Sequence, residues 1–233
     1  MIGKVVGTFE GNIVYPVTEN NYALIGNGTA YLDTGISIGV DDIIEVMTTQ
    51  KINDVLPLNS YRDSDGFSQA ATQRFHFGVF NTARGPILNA AAYVVSTEYT
   101  SPVISGFNNF QTYNVKLATN YSATGYDLTV LINGTQIDYQ TNTPTTNQGN
   151  ANYRIWIFGI QGFTTGADFG TKSVQDFQIK RNGVVVFDGK AVPAGLTIDS
   201  FTMPATVNTM FDSVSGLYLP VLGTGSFGIE EIL

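Results

Sequence analysis

Three observations predict an all-β protein built as two facing antiparallel sheets. Charged residues make up only 13% of the 233-residue chain, and Gly, Asn, Thr and Tyr are abundant, a composition of turns and half-buried pleated surfaces rather than of helices joined by ion pairs. Short apolar runs recur along the whole chain, separated by Gly, Asn, Asp and Pro. Two Asn-Gly dipeptides, Asn133-Gly134 and Asn182-Gly183, each join two such runs, the strongest short-range signal for a β-hairpin.

Residues 1–22 carry two apolar bursts, Val5-Val6 and Ile13-Val14-Tyr15, broken by Gly11-Asn12 and Pro16; this reads as an arm or hairpin able to add a strand to a neighbour. Residues 23–233 form a single sandwich domain. Ala30 and Leu32 face opposite to Tyr31, and Asp33-Thr34-Gly35 breaks that strand. Ile43–Met47 is a strand with Glu45 outward. The polar stretch from Asn53 to Gln73, around Asp63-Ser-Asp-Gly66, reads as a long loop. Arg74–Phe80 and Ala90–Val95 are strands, and Tyr113–Leu117 and Tyr126–Ile132 flank a Thr/Asn/Ser/Gly connection. Gln136–Tyr139 returns after the Asn133-Gly134 turn.

Arg154–Ile160 is an apolar strand followed by a glycine-rich loop. In the next strand Val174, Phe177 and Ile179 share one face once an irregularity near Gln175 is allowed, while Gln178 and Lys180 stay with solvent. Asn182-Gly183 folds Val184–Phe187 back on it. Later, Phe211–Tyr218 is hairpin-like. About ten to thirteen strands are available for the two sheets.

The formal charge of −8, with no basic cluster, opposes a phosphate backbone, so nucleic acid is excluded as a partner. Cysteine is absent, so there are neither disulfides nor thiolate metal sites. Polar residues at Thr8, Glu10 and Asn12 interrupt the N-terminal apolar run, which argues against a signal peptide. No run approaches the roughly 20 apolar residues of a membrane helix, so membrane insertion is not expected.

Several segments together resemble the concanavalin A-like, LamG-type jelly roll of bacteriophage structural and tail proteins. They are Ala30–Ile36, Leu128–Gly134, Ile157-Phe-Gly159 with Gly162, Lys172–Asp188, Pro193, Phe211–Tyr218 and Gly223-Thr-Gly225. Their order and spacing hold over residues 30–227. The 18-residue gap from Pro193 to Phe211 departs from the pattern and implies an inserted strand or loop. The resemblance implies a two-sheet jelly-roll sandwich, a place in a virion assembled in a host bacterial cytoplasm, and contact with other virion proteins or with further copies of itself as a homo-oligomer.

A glycosidase on this fold needs two acidic residues close together on one strand face, and no such strand is found; Glu45 stands alone on its strand. His76, the sole histidine, has no Cys or second His beside it and builds neither a triad nor a zinc site. No enzymatic activity is expected. Asp63 and Asp65 offer two carboxylates to a Ca²⁺ ion, against the plain reading of an Asx-type turn. Asp33 and Asp212 read as turn-capping acceptors.

Aromatic rings stack on the apolar faces of pyranoses, which makes loop residues Tyr61, Tyr99, Tyr121 and Tyr153 candidate platforms for a host-surface glycan, although unpaired loop tyrosines equally suit a protein interface. Trp156 faces opposite to Ile155 and Ile157. Core filling is the preferred reading for it, and a sugar platform is the alternative. The functional expectation is a virion structural or adhesion protein, in tail, fibre or capsid decoration, with a lectin-like domain. The alternatives are a bacterial carbohydrate-binding module and, behind it, a glycoside hydrolase.

Overall fold

The computed structural model describes residues 21–27, 29–37, 42–51, 61–70, 73–82, 85–94, 97–100, 112–122, 125–142, 154–158, 173–198 and 205–232. The expected N-terminal arm and the glycine-rich loop lie outside these residues, apart from the last two positions of the arm. Seventeen strands and no helix are found among the described residues, more strands than the apolar runs alone suggest. The protein is a two-sheet antiparallel jelly-roll sandwich.

The larger sheet holds β1 (Tyr22–Ile25), β3 (Ile43–Lys51), β8 (Thr112–Ser122), β9 (Gly125–Ile132), β10 (Thr135–Asn142), β12 (Ser173–Arg181), β13 (Val184–Val192), β14 (Thr209–Asp212), β15 (Leu217–Tyr218) and β17 (Gly228–Glu231). Its main path runs β10-β9-β8-β3-β12-β13-β14-β15, and β1 joins β12 to β17. A smaller sheet has the order β11-β2-β16, from β11 (Arg154–Ile157), β2 (Ala30–Ser37) and β16 (Val221–Gly223). A third group, β4 (Tyr61–Ala70), β5 (Gln73–Thr82), β6 (Gly85–Val94) and β7 (Thr97–Thr100), pairs in sequence order, with β4 alongside β11.

The core lies between the larger sheet and the β11-β2-β16 sheet. Leu24, Ile44, Val46, Val174, Phe177, Ile179, Phe187 and Met210 come from one side, and Ala30, Leu32, Ile155 and Ile157 from the other; all are buried in one cluster. Burial follows the two-residue period of a strand. On β12 the alternation slips once, between Val174 and Asp176, where the pairing with β3 shows a bulge. The extra residue is Gln175, so the irregularity expected there is a real one.

Both Asn-Gly turns have two consecutive positive φ angles, 49° and 79° at Asn133-Gly134 and 51° and 80° at Asn182-Gly183, the backbone of a two-residue type I′ hairpin. Each Asn also holds the neighbouring strand. The Asn182 carboxamide oxygen accepts the Ile43 amide at 2.8 Å, and that of Asn133 accepts the Asn114 amide at 2.9 Å. The turns therefore fix where β3 and β8 lie against the hairpins.

Two sequence expectations are corrected. The supposed long loop from Asn53 to Gln73 contains β4, paired with β5 through Asp63↔Val79 and Asp65↔Phe77. A polar run makes the same ladder hydrogen bonds as an apolar one, because those bonds belong to the backbone. Likewise, the connection expected between Leu117 and Tyr126 is mostly strand, since β8 continues to Ser122 and pairs there with Gly125.

The long stretch after Pro193 packs a small core of its own, in which Val192, Ile198, Ala205 and Phe211 are buried, with Leu196 and Tyr218 packed on them. Val192 faces away from Ala191, which belongs to the main core, so this satellite lies on the other face of the larger sheet. Backbone bonds Gly195 N to Ala205 O and Ala205 N to Leu196 O close the stretch on itself.

Candidate functional site

The pairing of β2 with β11 assembles the candidate site. In this register Ile157 is opposite Leu32 and Trp156 is opposite Asp33. Leu32, Ile155 and Ile157 point into the core, so Tyr31, Asp33 and Trp156 share the outer face of the sheet. On its other side, β16 places Leu222 opposite Tyr31. The expectation that Trp156 fills the core is therefore corrected. Alternation with two core isoleucines sends the indole outward, where it is half-buried.

There the indole stacks on the Tyr31 ring, with centroids 4.1 Å apart and planes at 22°. The indole Nε1 is buried and has no hydrogen-bond partner among the described residues, an orphan donor that forfeits about 1–3 kcal/mol, recoverable by any acceptor that reaches it. Burial, and then the Asp33 charge, raise the Tyr31 phenol above its ordinary pKa. The phenol is therefore neutral at physiological pH, both donor and acceptor.

Asp33 is held from two sides. Its Oδ1 accepts the Gly35 amide at 2.8 Å, and its Oδ2 faces Arg154 Nη1 at 3.2 Å. The first bond is the turn-capping role expected of this residue, made possible by the positive φ of 73° at Gly35. The second brings a guanidinium to the rim of the aromatic pair. Next to Asp33 and Arg154, a cavity of about 280 Å³ opens between the edges of the two sheets, lined also by Ser215, Leu217, Pro220 and Leu222. Leu217 is 65% exposed and gives the mouth an apolar lip. Planar rings, one fixed carboxylate, one guanidinium and an apolar lip can stack on a pyranose ring and satisfy its hydroxyls in both directions.

Asp212 bounds the same mouth, and its expected capping role is observed. Its carboxylate accepts the amides of Asp188, Val214 and Ser215 at 2.8, 3.1 and 3.1 Å. Asp188 lies on the outer face of the larger sheet with Gln178, Lys190 and Ser213. Burial opposes its ionisation, but the Ser213 hydroxyl, the Lys190 ammonium and the Gln178 amide outweigh that and hold the carboxyl below the usual carboxylate range. Glu230 is committed to Lys51 at 2.5 Å and Ser173 at 3.2 Å, beside a separate cavity of about 250 Å³. Glu45 pairs with Lys116, and Asp42 with Arg181.

Of the other candidate platforms, Tyr61 lies on β4, Tyr99 on β7 and Tyr121 on β8, in strands rather than in the loops expected, because each is part of a backbone ladder. Their side chains lie outside the described part of the structure, and Tyr153 lies outside the described residues altogether. Asp63 and Asp65 are strand residues of β4, paired with Val79 and Phe77 of β5 rather than set in an Asx-type turn, and their side chains lie outside the described part of the structure. His76 lies on β5, opposite Ala91 of β6.

Sequence reasoning missed Tyr31, Arg154, Leu217 and Leu222 as site residues. The outward alternation of Tyr31 and Trp156 was a usable signal. That the two strands pair, across more than 120 residues, was not visible.

No protein-family profile and no curated sequence matches the chain. Among solved structures it is similar to the native heptameric SAP-like pentraxin of Limulus polyphemus, with TM-score 0.51 and 15% identity over 69% of this chain and 76% of that one. It is also similar to a candidate carbohydrate binding protein of Bacteroides ovatus, with TM-score 0.52 and 12% identity over 91% of this chain and 60% of that one. At these identities the likeness establishes the jelly-roll fold.

Proposed function

We propose that this chain is a lectin-like, non-catalytic glycan-binding domain, and that its site is the Tyr31–Trp156 stack with the mouth beside it. The observation that carries the reading is the juxtaposition on one sheet face of a stacked aromatic pair, a twice-anchored carboxylate and a guanidinium, the last two also lining an apolar-lipped cavity. The similarity to a candidate carbohydrate binding protein on the same fold supports it. The described carboxylates that have partners are bound to caps and ion pairs, an arrangement suited to holding a ligand rather than to protonating a leaving group.

Trp156 is the only tryptophan in the chain, so its fluorescence reports on this site alone. The test is a glycan array followed by fluorescence titration of the best ligands, with Trp156→Leu and Tyr31→Ala as variants. Saturable changes in emission, and at least tenfold weaker binding by each variant on the array, are expected; binding that ignores both substitutions would move the site elsewhere. Repeating the titration with EDTA tests a Ca²⁺ requirement through Asp63 and Asp65.

A second reading, a virion adhesion or decoration protein that assembles as a homo-oligomer, is favoured by the motif order over residues 30–227. It extends the first by giving the glycan a place on a host surface. Mass measurement in solution tests it, since a strictly monomeric chain would leave it without support.

A further inference from the structure

We infer that the ligand of this site is an uncharged glycan, and that Asp33 is the residue that turns away carboxylated and sulfated sugars. The inference rests on the glycan-binding reading above. The Asp33 side chain is only 17% exposed and is fixed at both oxygens, whereas its partner Arg154 is 55% exposed. The anion is thus built into the sheet, and the cation is the more solvated member. Their charges cancel, so this pair offers hydrogen bonds without net charge, while the Asp212 carboxylate, which caps three amides, adds a further negative group at the mouth.

That distinction decides which sugars fit. A hydroxyl carries one donor and two acceptor lone pairs, so a single hydroxyl can accept from the guanidinium while donating to the carboxylate and leave the pair intact. A carboxylate or sulfate ester has no proton to donate. To reach Arg154 it must crowd a like charge a few Å away, at a position too shielded for solvent to screen that repulsion fully. It also approaches a chain of net charge −8, which opposes the encounter itself.

The neighbouring groups act in the same direction. Tyr31 brings a neutral hydroxyl, and Trp156, Leu217 and Leu222 bring apolar surface. Four other cations on the described surface are also matched by carboxylates: Lys51 by Glu230, Lys116 by Glu45, Lys190 by Asp188 and Arg181 by Asp42.

The test uses the full chain and two probe sets matched in length and linkage: neutral galactan oligosaccharides with their galacturonate counterparts, and neutral glucan oligosaccharides with their glucuronate counterparts. Trp156 emission is followed at low and at physiological salt. In the wild-type protein the neutral member of a pair binds at least tenfold tighter. Asp33→Asn retains an oxygen for the Gly35 amide but removes the charge. It is expected to shrink or reverse the preference by tenfold or more, chiefly through tighter uronate binding that weakens as salt is added, and adding Arg154→Gln to it should abolish that gain.

Uronates binding the wild-type protein as tightly as the neutral sugars would overturn the inference, as would Asp33→Asn weakening both members of a pair by the same factor. The wild-type comparison stands by itself if the variant fails to fold. If neither member of any pair changes Trp156 emission, the glycan reading itself fails, and this inference with it.

Discussion

Substituting Gly223 by Ala should be among the most damaging single-methyl additions in this protein. Gly223 closes β16, pairs with Ala30 and has a φ of +92°. A Cβ at this position would lie 2.2 Å from the Thr29 carbonyl oxygen and 3.3 Å from the Ala30 Cα. An L-residue in a left-handed conformation costs about 1–2 kcal/mol. The obstacle is backbone rather than the end of a flexible side chain, so β16 and β2 must separate, an overpacking cost of about 1–3 kcal/mol. The combined loss of about 2–5 kcal/mol is a large fraction of a typical domain stability of about 5–15 kcal/mol. Gly183→Ala is the matched control, because Gly183 has a φ of +80° but nothing within 4 Å of its missing Cβ, so it bears the conformational cost alone. Urea unfolding of both variants, followed by the emission of Trp156 on the strand paired with β2, isolates the contact term. Because β16 also carries Leu222 beside Tyr31, Gly223→Ala should weaken glycan binding where Gly183→Ala does not. Stabilities of the two variants within about 0.5 kcal/mol of each other would refute the steric argument.

Phe177→Ala, at a fully buried core position edge-on to Phe187, should cost about 3–5 kcal/mol, read from the shift in urea midpoint at unchanged slope. Asp212→Ala orphans three backbone amides and should cost more than Asp212→Asn, which keeps one acceptor; equal melting temperatures would argue against the cap. The Asp188 carboxyl is held below its ordinary value of 3.8, so its contribution to stability is complete above that pH and is lost as pH falls through the lower folded value. Asp188→Asn should therefore flatten the acid limb of a stability–pH curve, and parallel limbs would contradict the assignment. Tyr31 shifts the other way, above 10.0: its contribution is complete below that pH and declines above it, so Tyr31→Phe should lessen alkaline destabilisation, measured by unfolding between pH 9 and 11.

Features set by neighbours in sequence were legible before the structure. Ala30 and Leu32 against Tyr31, and Phe177 and Ile179 against Gln178, follow the period of a strand. Asn133-Gly134 and Asn182-Gly183 follow turn stereochemistry, and Asp33 and Asp212 cap amides two or three residues on. Reasoning from side-chain polarity failed where the backbone alone decided, as in β4 around Asp63-Ser-Asp-Gly66 and at the ends of β8 and β9. The site was half legible. The alternation of Tyr31 against Ala30 and Leu32, and of Trp156 against Ile155 and Ile157, was visible, but the face of Trp156 was misassigned to the core. The stacking of the two rings depends on a pairing between strands far apart in sequence, which local pattern does not encode. The satellite core after Pro193 was hidden for the same reason, since Val192 and Ala205 meet only once that stretch folds over the sheet.

Leu219 and Pro220 are all the chain that passes from β15, at the rim of one sheet, to β16, at the rim of the other. Fully stretched, the three steps from Tyr218 to Val221 reach about 10–11 Å, close to the ~10 Å between packed sheets. This strap has almost no slack, and the Leu219 amide is further tied to the Met210 carbonyl at 2.8 Å. The opening beside it should keep its width whether empty or filled, so that a sugar meets a rigid slot rather than a closing jaw.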